Sequence, residues 1–570
     1  MSDSVIFQFF QRMRVPLVVL ISAYAIATVG FTLMPGVDDQ GNPWRLSLFE
    51  AFYVVSYTGS TIGFGEVPYP FSPAQRLWTM VSIYLTVIAW LYSIGSIISM
   101  LQDPALVQSI RRARFRRAVD AIGEPFYLVC GCGDTGRMLT RALTARGHPV
   151  VVIDNQAAKI DALATEKLMA QVVPFCMDAS MPDHLVEAGL RHRWCLGAMA
   201  VTGDNHANLK IAVAAKLLNH RCTVHARADA PEVADNMRSF ETDHVVNPVE
   251  QYVLRMRLAI EQPMAFRVYQ WLQSGPDARV PDVDRPPRGR WILCGFDRLG
   301  RAAHAMLKDV GMQVTVVEHE PDRADLPADA IKGFATQAET LQAAGVEDAV
   351  GILATTSDDV DNLSILITAR ALNDDLFFGI LENGLSSHAL FQAARPDFIG
   401  QPSRVIAGTI LSRIRSPLVT EFFDRLLAAD EAVAGELLKR LEGFGQDRPP
   451  ELMTVRVSRR RAPALTEMLE NDVPIDLDAL QSDPVRSERQ LPVAVLLLRR
   501  DSEDHLLPGG STRLRVGDQL LLAGSASSAR RLRSLLESET VLYRSLTGQD
   551  RHHGWLWQRL FPESRSGLDR

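Results

Sequence analysis

The chain has 570 residues, more than one hydrophobic core ordinarily holds, so we expect three or four domains. Its formal net charge of −7 at pH 7 argues against nucleic acid as a partner. Hydrophobic residues make up an ordinary 47% of the chain, and only their distribution sets the N-terminal part apart from the rest.

Two apolar runs in the first hundred residues predict membrane-spanning helices. Val15–Met34 and Leu77–Leu101 contain no charged residue. A helix needs about 20 apolar residues to cross the hydrocarbon core of a bilayer. The alternatives are a signal peptide for the first run and a buried core helix for the second. The first run exceeds the apolar core of a signal peptide, and a second run follows it, so two spans are the better interpretation.

The segment between the spans combines a short helical pattern with a glycine-rich strand. Trp44–Thr58 is weakly helical but too short to cross a bilayer, and Thr61-Ile62-Gly63-Phe64-Gly65 and Val67-Pro68 follow it. Irregular backbone at membrane depth is tolerated where it lines a cavity or is buried in protein. A re-entrant helix and an extended strand around a pore meet this condition, and a glycine-rich turn in a membrane hairpin is the alternative.

Charges beside the spans predict the orientation. Arginines flank the spans on one side, whereas the connecting loop is mostly acidic; the residues concerned are Arg12, Arg14, Arg111, Arg112, Arg114, Arg116 and Arg117 outside the loop, and Asp38, Asp39, Glu50, Glu66, Arg45 and Arg76 within it. By the positive-inside rule, both termini are cytoplasmic. We therefore expect a multi-pass protein of the cell (inner) membrane, in contact with membrane lipid and with a large cytosolic part.

The cytosolic part opens with a dinucleotide-binding pattern. Tyr127–Asp154 consists of an apolar strand, Gly131-x-Gly133-x-x-Gly136, a helical stretch and a second apolar strand that ends on an acid. The first glycine permits a tight turn, the second lets the backbone approach a pyrophosphate, and the third allows close helix–strand packing. The candidate nucleotide-binding residues are Gly131, Cys132, Gly133, Asp134, Thr135, Gly136 and Asp154. A Rossmann fold without ligand is the alternative.

The same pattern recurs later in the chain. Trp291–Glu318 repeats the strand–loop–helix–strand order, and 23 positions separate Gly295 from Glu318, as they do Gly131 from Asp154. The sequence therefore predicts two copies of one doubly wound domain. Asp297 replaces the second glycine, and its carboxylate would repel a pyrophosphate, so we expect the second copy to bind a different ligand, a different pose or nothing.

Catalysis finds no support in the cytosolic part. No substrate domain with a paired acid and base is evident, and His148, His206 and His225 are scattered. The six cysteines have no zinc-site spacing, and disulfides are rare in the cytosol, so we expect inert buried thiols. A regulatory nucleotide fits this pattern better than a hydride carrier, and we predict that the chain is not an enzyme.

The C-terminal third changes in texture. Gln251–Trp271 and Val405–Leu427 are helical and are either connecting helices between domains or ordinary terminal helices. From Met453 the pattern is rich in strands, with a strand over Leu491–Leu498 and turns at Pro508–Gly510 and Gly517-Asp518. The amphipathic stretch Gly554–Phe561 either docks on the body or touches the membrane surface.

Thr61–Glu66 resembles the selectivity filter of potassium channels, whose pattern is Thr-Val-Gly-Tyr-Gly-Asp. The resemblance implies that K+ is bound by the carbonyl oxygens of Thr61, Ile62, Gly63 and Phe64, with Gly65 completing the filter, and that four copies close the ring as a homotetramer. Phe64 lacks the tyrosine hydroxyl that usually braces the filter, and Glu66 keeps the acidic charge. Leu85 stands where the inner helix often has a glycine hinge, and Gly95 is the only glycine in that span.

The whole chain resembles the two-transmembrane-helix prokaryotic potassium channels with tandem RCK (TrkA-N/TrkA-C) regulatory domains. This implies a membrane α-helical pore domain, with two spans and a re-entrant pore helix, fused to cytosolic α/β Rossmann-like RCK domains. The implied divisions are a pore domain 1–104, a linker 105–125, a first RCK domain with connecting helices 126–275, a linker 276–290, a second RCK domain 291–450, a TrkA-C-like lobe 451–536 and a tail 537–570.

The resemblance implies a ligand-gated potassium channel. Asp154 can accept hydrogen bonds from a free ribose 2′-hydroxyl, so NAD(H) or an adenine nucleotide such as ADP or ATP is expected rather than NADP. Ca2+ is a further candidate ligand, although no calcium-loop spacing is present. The alternatives are a membrane-anchored NAD-dependent oxidoreductase, which leaves Thr61–Gly65 unexplained, and a subunit of a potassium uptake transporter, which needs four pore repeats where this chain has one.

Overall fold

The computed structural model describes residues 2–102, 104–273, 285–320, 325–444, 449–483 and 490–547. The chain divides into two compact units, Met1–Ile122 and Gly123–Arg570. The predicted amphipathic stretch Gly554–Phe561 lies outside the described residues.

The first unit is helical apart from one small hairpin. Its elements are α1 (Ser2–Leu33), β1 (Gly36–Val37), β2 (Pro43–Trp44), α2 (Leu48–Gly59), α3 (Pro73–Leu101) and α4 (Pro104–Asp120). Within α1 and α3, Met13–Leu33 and Pro73–Ser99 are long and apolar enough to cross a membrane. Only 28% of the most apolar stretch of the first and 22% of that of the second is buried. A core helix of a soluble protein would be mostly buried, so the exposed apolar faces support the prediction of two spans.

The helix α2 begins at Leu48, so it covers only the later part of Trp44–Thr58, the stretch with a weak helical pattern. Ser47 caps it: its hydroxyl accepts from the Glu50 amide and the Glu50 carboxylate accepts from the Ser47 amide. At 12 residues the helix is about 18 Å long, too short to span a bilayer. Its buried face, with Val54 and Val55, packs with Phe31 of α1 in one apolar cluster.

The second unit opens with a six-stranded parallel sheet. Its strands are β3 (Phe126–Cys130), β4 (Val150–Asp154), β5 (Val172–Cys176), β6 (Cys195–Ala200), β7 (Thr223–Arg227) and β8 (His244–Val246). The strand order is β5-β4-β3-β6-β7-β8, the doubly wound arrangement that the sequence predicted. The helices are α5 (Asp134–Thr144), α6 (Ala157–Ala164), α7 (Pro182–Glu187), α8 (Asn205–Leu218) and α9 (Pro231–Ser239), then α10 (Pro248–Glu261) and α11 (Pro263–Gln273).

A second sheet repeats this order. Its strands are β9 (Arg290–Cys294), β10 (Gln313–Glu318), β11 (Ile331–Lys332), β12 (Gly351–Ala354), β13 (Phe377–Leu381) and β14 (Phe398–Gly400), arranged β11-β10-β9-β12-β13-β14. The helices are α12 (Arg298–Asp309), α13 (Ala338–Ala343), α14 (Asp359–Leu372) and α15 (His388–Ala394), then α16 (Pro402–Arg415), α17 (Pro417–Ala428) and α18 (Glu431–Glu442). The predicted internal repeat is therefore present at the level of the fold.

The last part is a small antiparallel lobe. It contains β15 (Glu451–Arg456), α19 (Pro463–Glu470), α20 (Leu477–Leu480), β16 (Val493–Arg500), β17 (Glu503–Leu506), β18 (Gln519–Gly524), α21 (Ala526–Glu537) and α22 (Glu539–Thr547). The sheet order is β15-β18-β16-β17. This agrees with the strand-rich texture predicted from Met453 onward.

The helices that follow each Rossmann sheet pack on the opposite copy. Met256 of α10 shares a core with Leu307 of α12, whereas Ile406 of α16 shares a core with Leu139 and Leu143 of α5. This supports the interpretation of these stretches as connecting helices. Each stretch is two helices rather than one, because Pro263 and Pro417 carry no backbone N–H to continue the preceding helix.

Candidate functional site

The irregular segment Thr61–Gly65, which follows α2, has an unusual backbone. Thr61, Gly63 and Gly65 have φ angles of 61°, 66° and 92°, whereas Ile62 and Phe64 between them stay outside the positive region. Glycine adopts positive φ at no steric cost, but threonine does not, and such strain concentrates at functional sites. The alternation lets neighbouring carbonyl groups share one side of the strand, as a row of cation ligands requires. The sequence indicated the two glycines but not the strained Thr61.

A hydroxyl from α2 braces the end of this strand. Tyr57 is 5% exposed, and its hydroxyl donates a hydrogen bond of 2.5 Å to the Gly65 carbonyl. The Phe64 ring lies 5.6 Å from the Tyr57 ring and 6.2 Å from the Tyr53 ring. Sequence reasoning noted the hydroxyl missing from Phe64 but overlooked the hydroxyl of Tyr57, although it stands one helical turn before Thr61.

The acid after the strand is paired. The Glu66 carboxylate accepts from the Arg76 guanidinium at 2.8 Å and from the Phe71 amide at 2.8 Å. The charge expected at the outer mouth is therefore present but partly compensated by a neighbouring cation.

The helix α3 runs without interruption past Leu85 and Gly95, so neither position bends it in this structure.

A polar cavity lies at the carboxyl ends of the first sheet. It has a volume of about 470 Å3 and lies where the strand order reverses between β3 and β6, the usual ligand position in such sheets. Of the seven predicted nucleotide-binding residues, five line it: Gly131, Gly133, Asp134, Thr135 and Asp154. The other two, Cys132 and Gly136, do not line it.

Two of the three glycines are required by the fold, and the third is not. Gly131 has φ of 109°, and a Cβ on Gly136 would lie 1.8 Å from the Gly131 carbonyl oxygen, so the fold itself needs both. Gly133 has an ordinary φ of −74°, and no atom lies within 4 Å of where its Cβ would be. The space beside Gly133 is thus left open toward the cavity rather than filled by protein.

Asp154 holds the loop as well as lining the cavity. It is 8% exposed, and its carboxylate accepts from the amides of Cys132 at 2.6 Å and Gln156 at 2.8 Å. Thr135 is 3% exposed, and its hydroxyl has no hydrogen-bond partner among the described residues. A buried hydroxyl without a partner is costly, so this group is available to a ligand in the cavity.

The cavity wall includes residues that local motifs did not indicate. Lys159 and Arg227 supply positive charge, although Arg227 is already paired with Asp229 at 2.7 Å. Ser403, at the start of α16, also lines the cavity, and the amide of Leu385 donates to the Asp134 carboxylate at 3.0 Å. Both segments follow strands of the second sheet, so no pattern near Gly131 could have revealed them.

The corresponding cavity in the second copy is much smaller. It measures about 40 Å3, and the Phe334 ring stacks against His319 at 5.4 Å on its wall. Asp297 has the backbone conformation of Gly133, with φ of −69°. The reduced space and the added carboxylate both support the expectation that this copy does not bind a dinucleotide as the first would.

The cysteines differ in accessibility. Five are buried, as expected, but Cys176 is exposed, which corrects the prediction for that residue. Burial and the neighbouring Asp154 raise the pKa of Cys132 to about 11, so its thiol is uncharged at neutral pH. Within the ranges that the structure describes, no three His, Cys, Asp or Glu side chains are grouped to hold a metal ion.

Three domain families match the chain in succession. The Ion channel family matches residues 17–103, the TrkA-N domain matches residues 127–248 and 291–380, and the TrkA-C domain matches residues 485–537. The matches thus fall on the two apolar helices with the segment between them, on the first Rossmann sheet, on the second sheet as far as β13, and on the lobe from β16 to α21.

Individual proteins show the same likeness. Potassium channel protein 1 of Methanocaldococcus jannaschii is 24% identical over 42% of this chain and 67% of the relative. The voltage-gated potassium channel Kch of Escherichia coli is 24% identical over 33% of this chain and 45% of the relative. Among solved structures, the GsuK channel bound to NAD is 15% identical and covers 95% of this chain and 100% of that chain, with a TM-score of 0.44.

The two apolar helices and the Ion channel match point to a membrane protein, and the relatives from Methanocaldococcus jannaschii and Escherichia coli are both potassium channels by name. The pore-type region and the regulatory domains follow one another in a single order along the sequence. The chain therefore joins an Ion channel region to two TrkA-N regions and a TrkA-C region, and it is homologous to potassium channel proteins.

Proposed function

We propose that this chain forms a homotetrameric channel of the cell membrane, with both termini cytoplasmic, that conducts K+ and is gated by a nucleotide. The observation that carries the proposal is the strand Thr61–Gly65, in which positive φ angles alternate directly after a helix too short to span a bilayer. The domain divisions predicted from the sequence, from the pore domain 1–104 to the tail 537–570, form part of this proposal.

In the proposed pore, carbonyl oxygens replace the water shell of K+. Thr61, Ile62, Gly63 and Phe64 supply these oxygens, and four copies complete the ring. In the single chain, Ile62 is 60% exposed and Phe64 is 62% exposed. Neighbouring copies would cover these apolar side chains, which supports assembly around the strand.

In the proposed regulatory site, NAD(H) or an adenine nucleotide occupies the cavity of the first RCK domain. Its pyrophosphate would lie beside Gly133 at the N-terminus of α5, where free amides and the helix dipole favour an anion. Its ribose would bond to the Asp154 carboxylate. Four carboxylates, namely Asp134, Asp154, Asp178 and Asp204, line the cavity against two cations. This charge favours NAD over the more highly charged ATP.

The proposed gating follows from the position of the cavity. Ser403 and Leu385 tie it to segments that follow the second sheet, so a ligand there touches both halves of the regulatory part. A ligand shifts an equilibrium only by its differential affinity for the two states. A nucleotide that binds more tightly to one relative arrangement of the two Rossmann sheets would therefore shift the gating equilibrium toward the channel state with that arrangement. Among the described residues, no three His, Cys, Asp or Glu side chains are grouped so that they could hold a metal ion, and Ca2+ does not enter this proposal.

The test is ion flux through the purified chain in liposomes that hold a K+ gradient. We expect K+ flux that greatly exceeds Na+ flux and that NAD changes. Asp154→Ala should remove the response to NAD but leave the basal flux. Equal Na+ and K+ flux would contradict the filter assignment, and flux that ignores NAD, ADP and ATP, without measurable binding, would contradict the gating assignment. NADH oxidation without ion flux would instead support an oxidoreductase.

A further inference from the structure

Two arginines lie where the connecting helices of the two Rossmann copies cross. Arg255 is on α10 and Arg404 is in the first turn of α16, and these two helices pack against each other. Neither side chain has a hydrogen-bond or ion-pair partner among the described residues. Arg404 is exposed, so water solvates it, whereas the Nε of Arg255 is buried.

A buried phenol lies beside Arg255. Tyr252 precedes it by three residues on α10, so the two side chains share one face of the helix. Tyr252 is 3% exposed, and its hydroxyl has no hydrogen-bond partner among the described residues. The ring is held at the edge of the second sheet, because a Cβ on Gly400 would lie 1.9 Å from it and the Phe398 ring lies 5.5 Å away. The ring therefore has little freedom to carry its hydroxyl to another partner.

The groups around Arg255 do not balance its charge. Burial lowers the pKa of Arg255, the nearby Tyr269 on α11 and Tyr252 raise it, and Arg404 lowers it again. Among the described residues, two phenols and a second cation thus act on this guanidinium, and no carboxylate does. Arginine keeps its charge at any pH near neutrality. A buried donor without an acceptor, on a charge without a counter-charge, is costly.

We propose that Arg255, Tyr252 and Arg404 bind an oxyanion whose chemical class is a phosphate group. A guanidinium donates two parallel hydrogen bonds to a phosphate, and the Tyr252 hydroxyl supplies a further donor. Charge favours phosphate over carboxylate, because a phosphate group carries about −1.5 to −2 at pH 7 and two arginines face it. The site would satisfy both unpartnered donors and compensate both cations.

An anion in this position would strengthen the contact between the two copies. Arg255 is on the helix that follows the first sheet and Arg404 is on the helix that follows the second, so their like charges repel across the crossing. A phosphate group between them replaces this repulsion with two attractions. Neither arginine lines the nucleotide cavity, so the site is distinct from it and does not rest on the proposed channel activity.

The test is phosphate binding by the full-length protein in detergent, measured by calorimetry and by thermal unfolding at constant ionic strength. Inorganic phosphate should bind once per chain at this site and raise the unfolding temperature. Arg255→Met should weaken this binding about tenfold or more, and Tyr252→Phe about fivefold. Without phosphate, Arg255→Met should unfold about 1–3 °C above wild type, because it removes an uncompensated buried charge.

Matched variants show whether the effect belongs to this site. Arg257→Met should leave phosphate binding unchanged, because Arg257 is on the same helix but is paired with Asp309. Arg404→Met alters an exposed residue and should weaken binding about threefold, which keeps the test decisive if Arg255→Met does not fold. Glycerol phosphate distinguishes the two sources of the group: tighter binding than inorganic phosphate assigns the site to a phosphate ester, and weaker binding assigns it to the free ion.

Three results would overturn the site. Phosphate binding that Gly133→Asp abolishes and Arg255→Met retains would belong to the nucleotide cavity. Equal binding by wild type, Arg255→Met and Arg404→Met, or no binding at all, would remove the anion from the crossing. An unfolding temperature of Arg255→Met below that of wild type without phosphate would show that the guanidinium is satisfied without an anion. None of these readouts uses ion flux or NAD, so they are independent of the proposed function.

Discussion

At the scale of single residues, the proposed filter segment Thr61–Gly65 owes its shape to α2 as well as to its own glycines. Gly63 and Gly65 were predictable, because positive φ is characteristic of glycine. The hydrogen bond from Tyr57 to Gly65 was not, because it depends on how α2 and the strand pack in three dimensions. Tyr57 therefore provides a hydroxyl brace in the proposed filter, whose aromatic residue, Phe64, has no hydroxyl.

This arrangement predicts the effect of Tyr57→Phe. The substitution keeps the ring contacts with Phe64 but removes the donor to the Gly65 carbonyl. A hydrogen bond of this kind contributes about 1 kcal/mol, so the K+/Na+ flux ratio in liposomes should fall about fivefold. Phe64→Tyr in the same background should recover part of the ratio, as a hydroxyl returns to the filter. An unchanged ratio in Tyr57→Phe would show that the bond does not position the strand.

At the scale of elements, the glycines at the start of α5 have different roles, because Gly136 is needed for the fold and Gly133 leaves space for a ligand. A side chain at Gly133 meets no protein atom, whereas a side chain at Gly136 meets the Gly131 carbonyl. Copy two carries Asp297 at the position of Gly133 in the same backbone conformation, so the fold accepts a carboxylate there.

Two substitutions in this loop should therefore have different effects, one on NAD affinity and the other on the stability of the fold. Gly133→Asp should lower NAD affinity at least about tenfold, since 1.4 kcal/mol of charge repulsion suffices, and should leave the unfolding temperature unchanged. Gly136→Ala should destabilise the protein by about 1–3 kcal/mol, because its Cβ crowds the backbone. Calorimetry with NAD and thermal unfolding of both variants measure the two effects. A large loss of stability in Gly133→Asp would contradict the interpretation of the open space.

The elements themselves were largely predictable from the sequence, but their partners were not. Apolar strands and the spacing of 23 residues fixed both Rossmann copies, since these are local signals. The exchange of α10 and α16 between copies joins residues far apart in sequence, such as Leu139 and Ile406. In the same way, Ser403 lines the proposed nucleotide cavity and the Leu385 amide donates to Asp134 on its wall, although both lie far from the glycine loop in sequence. Contacts of this type leave no periodicity in the sequence, so the cavity was predicted only from its glycine loop and Asp154.

At the scale of the whole molecule, a pair of histidines, the buried His225 and the half-buried His244, links the first Rossmann sheet to α16. His225 is 2% exposed, and its ring lies 4.8 Å from that of His244. His244 Nδ1 in turn lies 2.7 Å from the Arg413 guanidinium on α16. Burial, and then the nearby His244 and Arg413, lower the pKa of His225 to about 3. Burial and Arg413 likewise lower the pKa of His244.

These shifts predict that acid destabilises the regulatory part. Because the pKa of His225 is lower in the folded protein than its ordinary value of 6.5, unfolding takes up a proton below pH 6.5. The stability that neutral His225 contributes is complete above that pH and declines as the pH falls toward 3. At pH 4.5 the loss from this residue alone would be about 2–3 kcal/mol.

Thermal unfolding of the detergent-solubilised protein at pH 7.5 and pH 4.5 measures this loss. His225→Leu should reduce the acid-induced fall in unfolding temperature, because leucine cannot take up the proton. His206→Gln is the control, since His206 is exposed and should leave the fall unchanged. Comparing variant with wild type removes the contribution of carboxylates that titrate in the same range. If the unfolding temperature falls equally in His225→Leu and in wild type, the acid sensitivity arises elsewhere. In that case the contact of Arg413 with His244 holds α16 on the first sheet independently of the charge on His225.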